Sequence, residues 1–113
     1  MSEVTLKREN GDVVCDRCVV ADNPVSRLKG LLGRNELRSG EGLLLRPASA
    51  IHTCFMRFAI DAVFLDRDWR VVAISDDIAP WRTASTRGAK AVLELPAGES
   101  ARRGLGVGDL LLA

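Results

Sequence analysis

The alternation of apolar and polar positions predicts a chain of short β-strands separated by frequent turns. Asn10 and Gly11 lie between two strand-like runs and are typical of a tight hairpin, because both central positions of a type I′ turn need a positive φ. The predicted strands cover residues 3–9, 12–21, 43–46, 49–58, 60–66, 69–74, 91–95 and 110–112. We therefore expect a mainly β fold, a single compact β-sandwich or barrel.

One short helix is predicted over residues 24–32. Asn23 can cap its start, Pro24 suits its first position and Gly33 can end it. Its apolar residues at helical spacing are Val25, Leu28, Leu31 and Leu32, with Arg27 at the border of the stripe. A helix of about ten residues does not persist alone in water, so we expect it to pack on the sheet.

The remaining segments complete this prediction. Residues 76–89 are polar and are expected to be irregular, and residues 98–103 are expected to form one helical turn. Residues 66–68 are expected to form a hairpin loop. Most gaps between the strands are too short for crossover helices, so the pattern does not favour a βαβ fold.

Composition indicates one domain over residues 1–113 and excludes several classes of protein. The 16 Lys and Arg residues against 15 Asp and Glu give a formal net charge of +1, which argues against a nucleic-acid-binding protein. No apolar run reaches the roughly 18–20 residues of a membrane helix, so no membrane partner is expected. The first residues lack a secretory apolar segment, and three cysteines, an odd number, fit reduced thiols. We expect a cytoplasmic location.

Cys15 and Cys18 have the spacing of many zinc and redox sites. In a regular strand, residues three apart point to opposite faces, so the two sulfurs are not expected to bind one ion. The sequence has no second Cys or His pair at ligand spacing. We predict that both cysteines pack within the strand, with a metal or redox role as the alternative.

His52, Cys54 and Met56 occupy alternate positions of the predicted strand 49–58. On an extended backbone they would share one face, with neighbours about 6.5–7 Å apart. Imidazole, thiolate and thioether form a soft ligand set that suits Cu(I), which makes these residues weak metal candidates. The alternatives are core packing by Cys54 and Met56, or the lining of a small-molecule pocket.

Two carboxylates stand within apolar strands. Asp61 needs a partner because an unpaired buried carboxylate is costly, and Arg57, Arg27 or the backbone amides of a turn could supply one. It is then either a buried tie between helix and sheet or an acid–base group or ligand anchor. Glu94 alternates with two leucines, so we expect it to face solvent or the mouth of a groove.

Four motifs, in order, carry a family resemblance. They are Arg-Leu-Lys-Gly-Leu-Leu-Gly-Arg at 27–34, the His-to-Asp block at 52–66, Leu-Glu-Leu-Pro-Ala-Gly at 93–98, and the glycine-rich segment at 104–109. Over residues 20–113 the chain resembles a prokaryotic domain of unknown function, family 192 of that series. The resemblance implies a jelly-roll-like β-sandwich and no established activity, substrate or cofactor.

Together these observations predict a small ligand-binding or accessory domain without a cofactor. Its site would lie near Arg27, His52, Met56 and Asp61 and would hold an unknown small molecule. One alternative is a small enzyme that uses Asp61 and His52 as acid and base. Another is a structural or partner-binding module. Solvent access separates these hypotheses, because a closed core around the candidate residues would favour the last one.

Overall fold

The computed structural model describes residues 2–113; the side chain of Leu28, part of the predicted helical stripe, lies outside the described residues. The strands over this range are β1 (Glu3–Arg8), β2 (Val13–Ala21), β3 (Glu41–Leu45), β4 (Ala50–His52), β5 (Ile60–Leu65), β6 (Val71–Ile78), β7 (Thr83–Ser85), β8 (Ala91–Pro96) and β9 (Leu111–Leu112). The helices are α1 (Pro24–Lys29) and α2 (Glu99–Arg102). Neither described helix is long or apolar enough to cross a bilayer.

The strands form one curled, mixed sheet and a separate two-stranded ribbon. Seven strands are hydrogen-bonded in the order β6-β5-β8-β3-β2-β1-β9, and β4 pairs with β7. The two edges of the large sheet approach each other, because Arg70 and Leu110 form an antiparallel bridge. The Val71 amide donates to the Asp109 carbonyl at 2.8 Å beside that bridge. The predicted mainly β fold is confirmed, with a curled, barrel-like sheet at its centre.

One connection differs from the prediction. β2 and β3 run parallel, with Arg17 opposite Glu41 and Ala21 opposite Leu45, and α1 lies in the crossover between them. The sequence pattern argued against a βαβ unit, but the segment between these two strands is long enough for one. This parallel pair also distinguishes the sheet from an antiparallel jelly roll.

The ends of the helices follow local capping chemistry. The Asn23 side chain accepts from the Ser26 amide at 2.9 Å, and the Asn23 amide donates to the Ser26 hydroxyl, which completes a capping box. α1 ends at Lys29 rather than near residue 32, because Gly30 follows with a φ of 49°. The predicted helical turn at 98–103 is confirmed as α2.

Two predicted segments have different structures. The prediction of an extended chain over 49–58 is correct only for β4, since Cys54 and Phe55 form a turn in which Phe55 has a φ of 65°. The prediction that 76–89 is irregular is wrong in part, because β6 continues to Ile78 and β7 forms within the segment. Both differences arise from tertiary pairing, which local patterns do not show.

The sheet separates two apolar clusters. Leu93 and Leu95 face one cluster, which β1 and β2 also fill, while Val92 and Phe64 face the other. Every residue of β5 and of β8 is buried as a result, on both faces of the sheet. Side chains of the second cluster come from the segments after α1 and around β4, and these segments cover that face.

A β-bulge brings both strand cysteines into the same core. Between Val4 and Leu6, β1 advances two residues while β2 advances three, from Cys18 to Cys15. The extra residue changes which side chains face inward, and both thiols are fully buried in the first cluster. The geometric prediction that Cys15 and Cys18 point to opposite faces is therefore wrong.

Candidate functional site

A cavity of about 510 Å³ lies between α1, the segment from residue 47 to β4, and the inner face of the sheet. Its walls are mainly apolar and come from residues far apart in the sequence. They include Pro24, Leu31, Leu32, Leu45, Pro47, Ala48, Ile51 and Met56. Polar and charged groups join them at a few places: Arg27, Lys29, Ser49, His52 and Glu94. This combination of apolar walls and few polar groups is typical of small-molecule sites.

The structure brings three of the four predicted site residues together. Arg27, His52 and Met56 all line the cavity, although the backbone between His52 and Met56 is not extended. The turn directs Met56 back toward the core because its amide donates to the Thr53 carbonyl at 3.2 Å. Thr53 is itself fully buried and donates its hydroxyl to the Ala79 carbonyl at 2.7 Å. The turn thus replaces the predicted strand as the element that positions Met56.

The soft-metal candidates do not share one face. His52 is exposed at the cavity rim, and its Nδ1 accepts from the Cys54 amide at 3.3 Å. Cys54 lies in the turn and is not among the residues that line the cavity, whereas Met56 is buried. Among residues 2–113 as described, no group of three His, Cys, Asp or Glu side chains is placed to hold a metal.

Asp61 lies away from the cavity lining and ties three segments together. Its fully buried carboxylate accepts from the backbone amides of Asp77, Gly98 and Ser100 at 2.9–3.0 Å and from the Ser100 hydroxyl at 2.6 Å. Burial raises the pKa of Asp61, but these hydrogen bonds lower it by more, so the group stays ionised. Of the partners that we expected, backbone amides are found and neither arginine is, but only the Gly98 amide belongs to a turn, since Asp77 lies in β6 and Ser100 in α2. The arrangement favours the buried tie over the ligand anchor.

The residue that sequence reasoning placed differently is Glu94. It lies in the middle of β8, directly between Leu43 of β3 and Ala62 of β5, and it is 4% exposed. The prediction that the Glu94 side chain points to the face opposite Leu93 and Leu95 is correct. That face is also covered, however, and does not contact solvent freely. Glu94 is one of the residues that line the cavity. The prediction that Glu94 faces solvent is wrong. The alternative, the mouth of a groove, is closer, but Glu94 lies at the floor of the cavity.

Burial without a compensating charge raises the pKa of Glu94 to about 7. Among the described residues, no side chain or backbone group donates a hydrogen bond to its carboxyl group, and none forms a salt bridge with it. Every fully buried side-chain oxygen among the described residues has a hydrogen-bond partner. Because the Glu94 oxygens have no such partner, they must keep some accessible surface. A carboxyl group in this position can accept or donate a proton near neutral pH and can bind a donor that enters the cavity.

Positive charge lies at the opening of the cavity. Arg27 is half-buried, and its Nη1 donates to the Pro47 carbonyl at 3.3 Å, which ties α1 to the segment before β4. Lys29 is exposed at the end of the same helix. The cavity therefore has a basic opening and an acidic floor, with apolar walls between them.

The cysteine pair lies in the other cluster and does not contribute to this site. A hydrogen bond with Cys18 lowers the pKa of the Cys15 thiol, and the same contact together with burial raises the pKa of Cys18. The Cys15 thiol also contacts the Gly40 carbonyl at 3.5 Å. The two groups pack as neighbouring thiols within the core.

The family model for DUF192, described as an uncharacterized ACR, matches residues 5–112. The chain belongs to this family. The match extends the resemblance seen over residues 20–113 to nearly the whole chain. No curated protein matches the chain.

Two solved structures are similar to it. A protein of unknown function from Novosphingobium aromaticivorans DSM 12444 has a TM-score of 0.86 and 26% identity, with 98% of this chain and 85% of that chain covered. A protein from Sinorhizobium meliloti 1021, described as a candidate transcription regulator, has a TM-score of 0.85 and 24% identity, with 97% and 91% covered. Both similarities support the fold and leave the activity open.

Proposed function

We propose that this DUF192 domain binds a small, mainly apolar molecule in the cavity between α1 and the sheet. One observation carries the proposal: an apolar cavity of about 510 Å³ has a single carboxyl group, Glu94, on its floor. The volume lies within the roughly 300–1,000 Å³ range of small-molecule sites. The cavity is open to solvent at exposed lining residues such as Pro24, Lys29 and Ser49, so a small molecule can enter it.

The residues around the cavity support binding rather than acid–base catalysis by Asp61 and His52. The Asp61 carboxylate is occupied by four donors and lies outside the lining, whereas His52 is exposed at the rim. A general base must reach the proton that it removes, and these two groups do not face a shared space. We also propose a cytoplasmic setting, which suits the three free thiols.

The proposal can be tested with 1-hexanol, a neutral apolar probe, in a methyl NMR titration. We expect saturable shifts of the Met56 methyl signal, while the methyl signals of Val107, which is exposed and does not line the cavity, stay unchanged. Absence of a saturable Met56 shift would contradict the proposal.

A blocking variant and a matched control sharpen the experiment. Ala50 is exposed at the edge of the cavity, so Ala50→Phe should narrow the opening and weaken hexanol binding several-fold. Ala101 is exposed on α2 and does not line the cavity, so Ala101→Phe should leave binding unchanged. Equal binding by both variants would place the probe elsewhere on the protein.

A further inference from the structure

Glu94 has the features of a ligand-binding group. It is 4% exposed, it lines the cavity, and no hydrogen-bond donor among the described residues reaches its carboxyl group. The other buried carboxylates behave differently. Asp61 has four donors, and Glu99 accepts from Ser39, Gly40, Arg102 and Arg103. Both Glu94 carboxyl oxygens keep some accessible surface, because no fully buried side-chain oxygen among the described residues lacks a hydrogen-bond partner. A group that enters the cavity can therefore donate to them.

The protein supplies no counter-charge at the floor. The neighbours of Glu94 across the sheet are Leu43 and Ala62, both apolar. The titratable side chains that line the cavity from the other elements are Arg27, Lys29 and His52.

These three groups lie toward the opening. The Arg27 guanidinium donates to the Pro47 carbonyl at 3.3 Å. Lys29 and His52 are exposed. Among the described residues, none of these three groups forms a hydrogen bond or a salt bridge with Glu94, so its carboxyl group is left for a ligand.

We propose that Glu94 is the polar anchor of the site and that the ligand class is apolar amines, bound with the ammonium group on the cavity floor. This inference rests on the proposed function. An ammonium group donates up to three hydrogen bonds and neutralises a carboxylate, and charge-assisted hydrogen bonds are stronger than neutral ones. A hydroxyl group would supply one hydrogen bond and would leave the charge of the carboxylate uncompensated. A carboxylate ligand would place two like charges together in a poorly solvated space.

The test compares three probes of the same chain length: 1-hexylamine, 1-hexanol and hexanoate. Binding is measured by calorimetry at about pH 8.5, where the Glu94 carboxyl is ionised and a primary amine is protonated. We expect the wild-type protein to bind hexylamine about tenfold more tightly than hexanol, and hexanoate more weakly than either. Glu94→Gln has nearly the same shape and should reduce the amine-to-alcohol preference to about one.

The controls separate this inference from the proposed function. Glu3 is exposed on β1, so Glu3→Gln should keep the full preference for hexylamine. Far-UV circular dichroism and urea denaturation of Glu94→Gln show whether the variant is folded. If hexanol binds but hexylamine binds no better, or if the preference survives Glu94→Gln, the amine inference is wrong and the cavity remains a binding site. If none of the three probes binds, both proposals are wrong.

Discussion

Asp61 accepts two hydrogen bonds from Ser100, at 3.0 Å from its amide and at 2.6 Å from its hydroxyl. This pair joins β5 to the start of α2. The same carboxylate also holds the amides of Asp77 and Gly98, so one side chain of β5 satisfies donors from two other segments, β6 and the start of α2. Such a group stabilises the fold when it is ionised.

Replacement of Asp61 by Asn should destabilise the protein by about 3 kcal/mol at pH 7. In the variant, the NH₂ group of Asn would lie against N–H donors that the Asp61 carboxylate accepts from in the wild type. Those donors would lose their acceptor. Because the pKa of Asp61 is lowered on folding, the stabilisation is present above its ordinary pKa and is lost as the pH falls through the lowered value. The difference in unfolding free energy between variant and wild type should therefore shrink as the pH falls below the ordinary pKa of an aspartate, about 3.9.

Urea denaturation at several pH values measures this difference. Asp76→Asn is the matched control, since Asp76 is exposed on β6. It should change the stability by less than about 0.5 kcal/mol. A small, pH-independent effect of Asp61→Asn would show that the carboxylate is not the tie described above.

Gly42 allows the close approach of β3 to the core. A Cβ atom there would lie 2.8 Å from the Cys15 sulfur and 3.0 Å from the Glu94 carbonyl oxygen. Gly42→Ala should destabilise the protein by about 1–3 kcal/mol, because the neighbouring backbone has to shift. Gly106→Ala is the matched control, since nothing lies within 4 Å of its Cβ position. Thermal unfolding of both variants measures the contrast, and equal melting temperatures would contradict it.

The sequence predicted most of the strands because turn residues and apolar alternation are local signals. The hairpin at Asn10 and Gly11, the loop at 66–68 and the strand before Pro96 all follow from such signals. The parallel β2–β3 pair and the bulge between Cys15 and Cys18 depend on pairing between distant segments. Local patterns do not carry that information.

The sequence predicted only part of the site, because the site also depends on contacts between distant segments. Arg27, His52 and Met56 line the cavity, although the extended backbone that suggested the grouping of His52 and Met56 is absent. The alternation around Glu94 predicts a sheet with one solvated face, because antiparallel sheets commonly have one packed face and one solvated face. The second face is covered by the segment after α1 and by the segment around β4. The one signal of a buried Glu94 in the sequence was a single polar residue in a strand whose neighbouring strands are apolar.

Glu94 should make stability depend on pH in the direction opposite to Asp61. Its pKa is about 7 in the folded protein against an ordinary value of 4.5, so the folded state binds more protons between these values. Stability from this group is therefore full below about pH 4.5 and is lost as the pH rises to about 7. The cost of the buried charge above pH 7 is on the order of 3 kcal/mol.

Glu94→Gln should consequently gain stability over the wild type as the pH rises. We expect little difference near pH 4.5 and a gain on the order of 1–3 kcal/mol at pH 8. Urea denaturation of both proteins across this range measures the gain, and the comparison cancels the contributions of other titrating groups. A difference that does not change with pH would contradict the buried, unpaired state of Glu94.

The most direct test of the account is a ¹³C NMR titration of the Glu94 side-chain carboxyl, without ligand and with saturating 1-hexylamine. The signal is assigned by its loss in Glu94→Gln. We predict a pKa of about 7 without ligand, from burial alone, and a clearly lower value with hexylamine because the ammonium group favours the carboxylate. A pKa near 4.5 without ligand, or a value unmoved by hexylamine, would contradict the account.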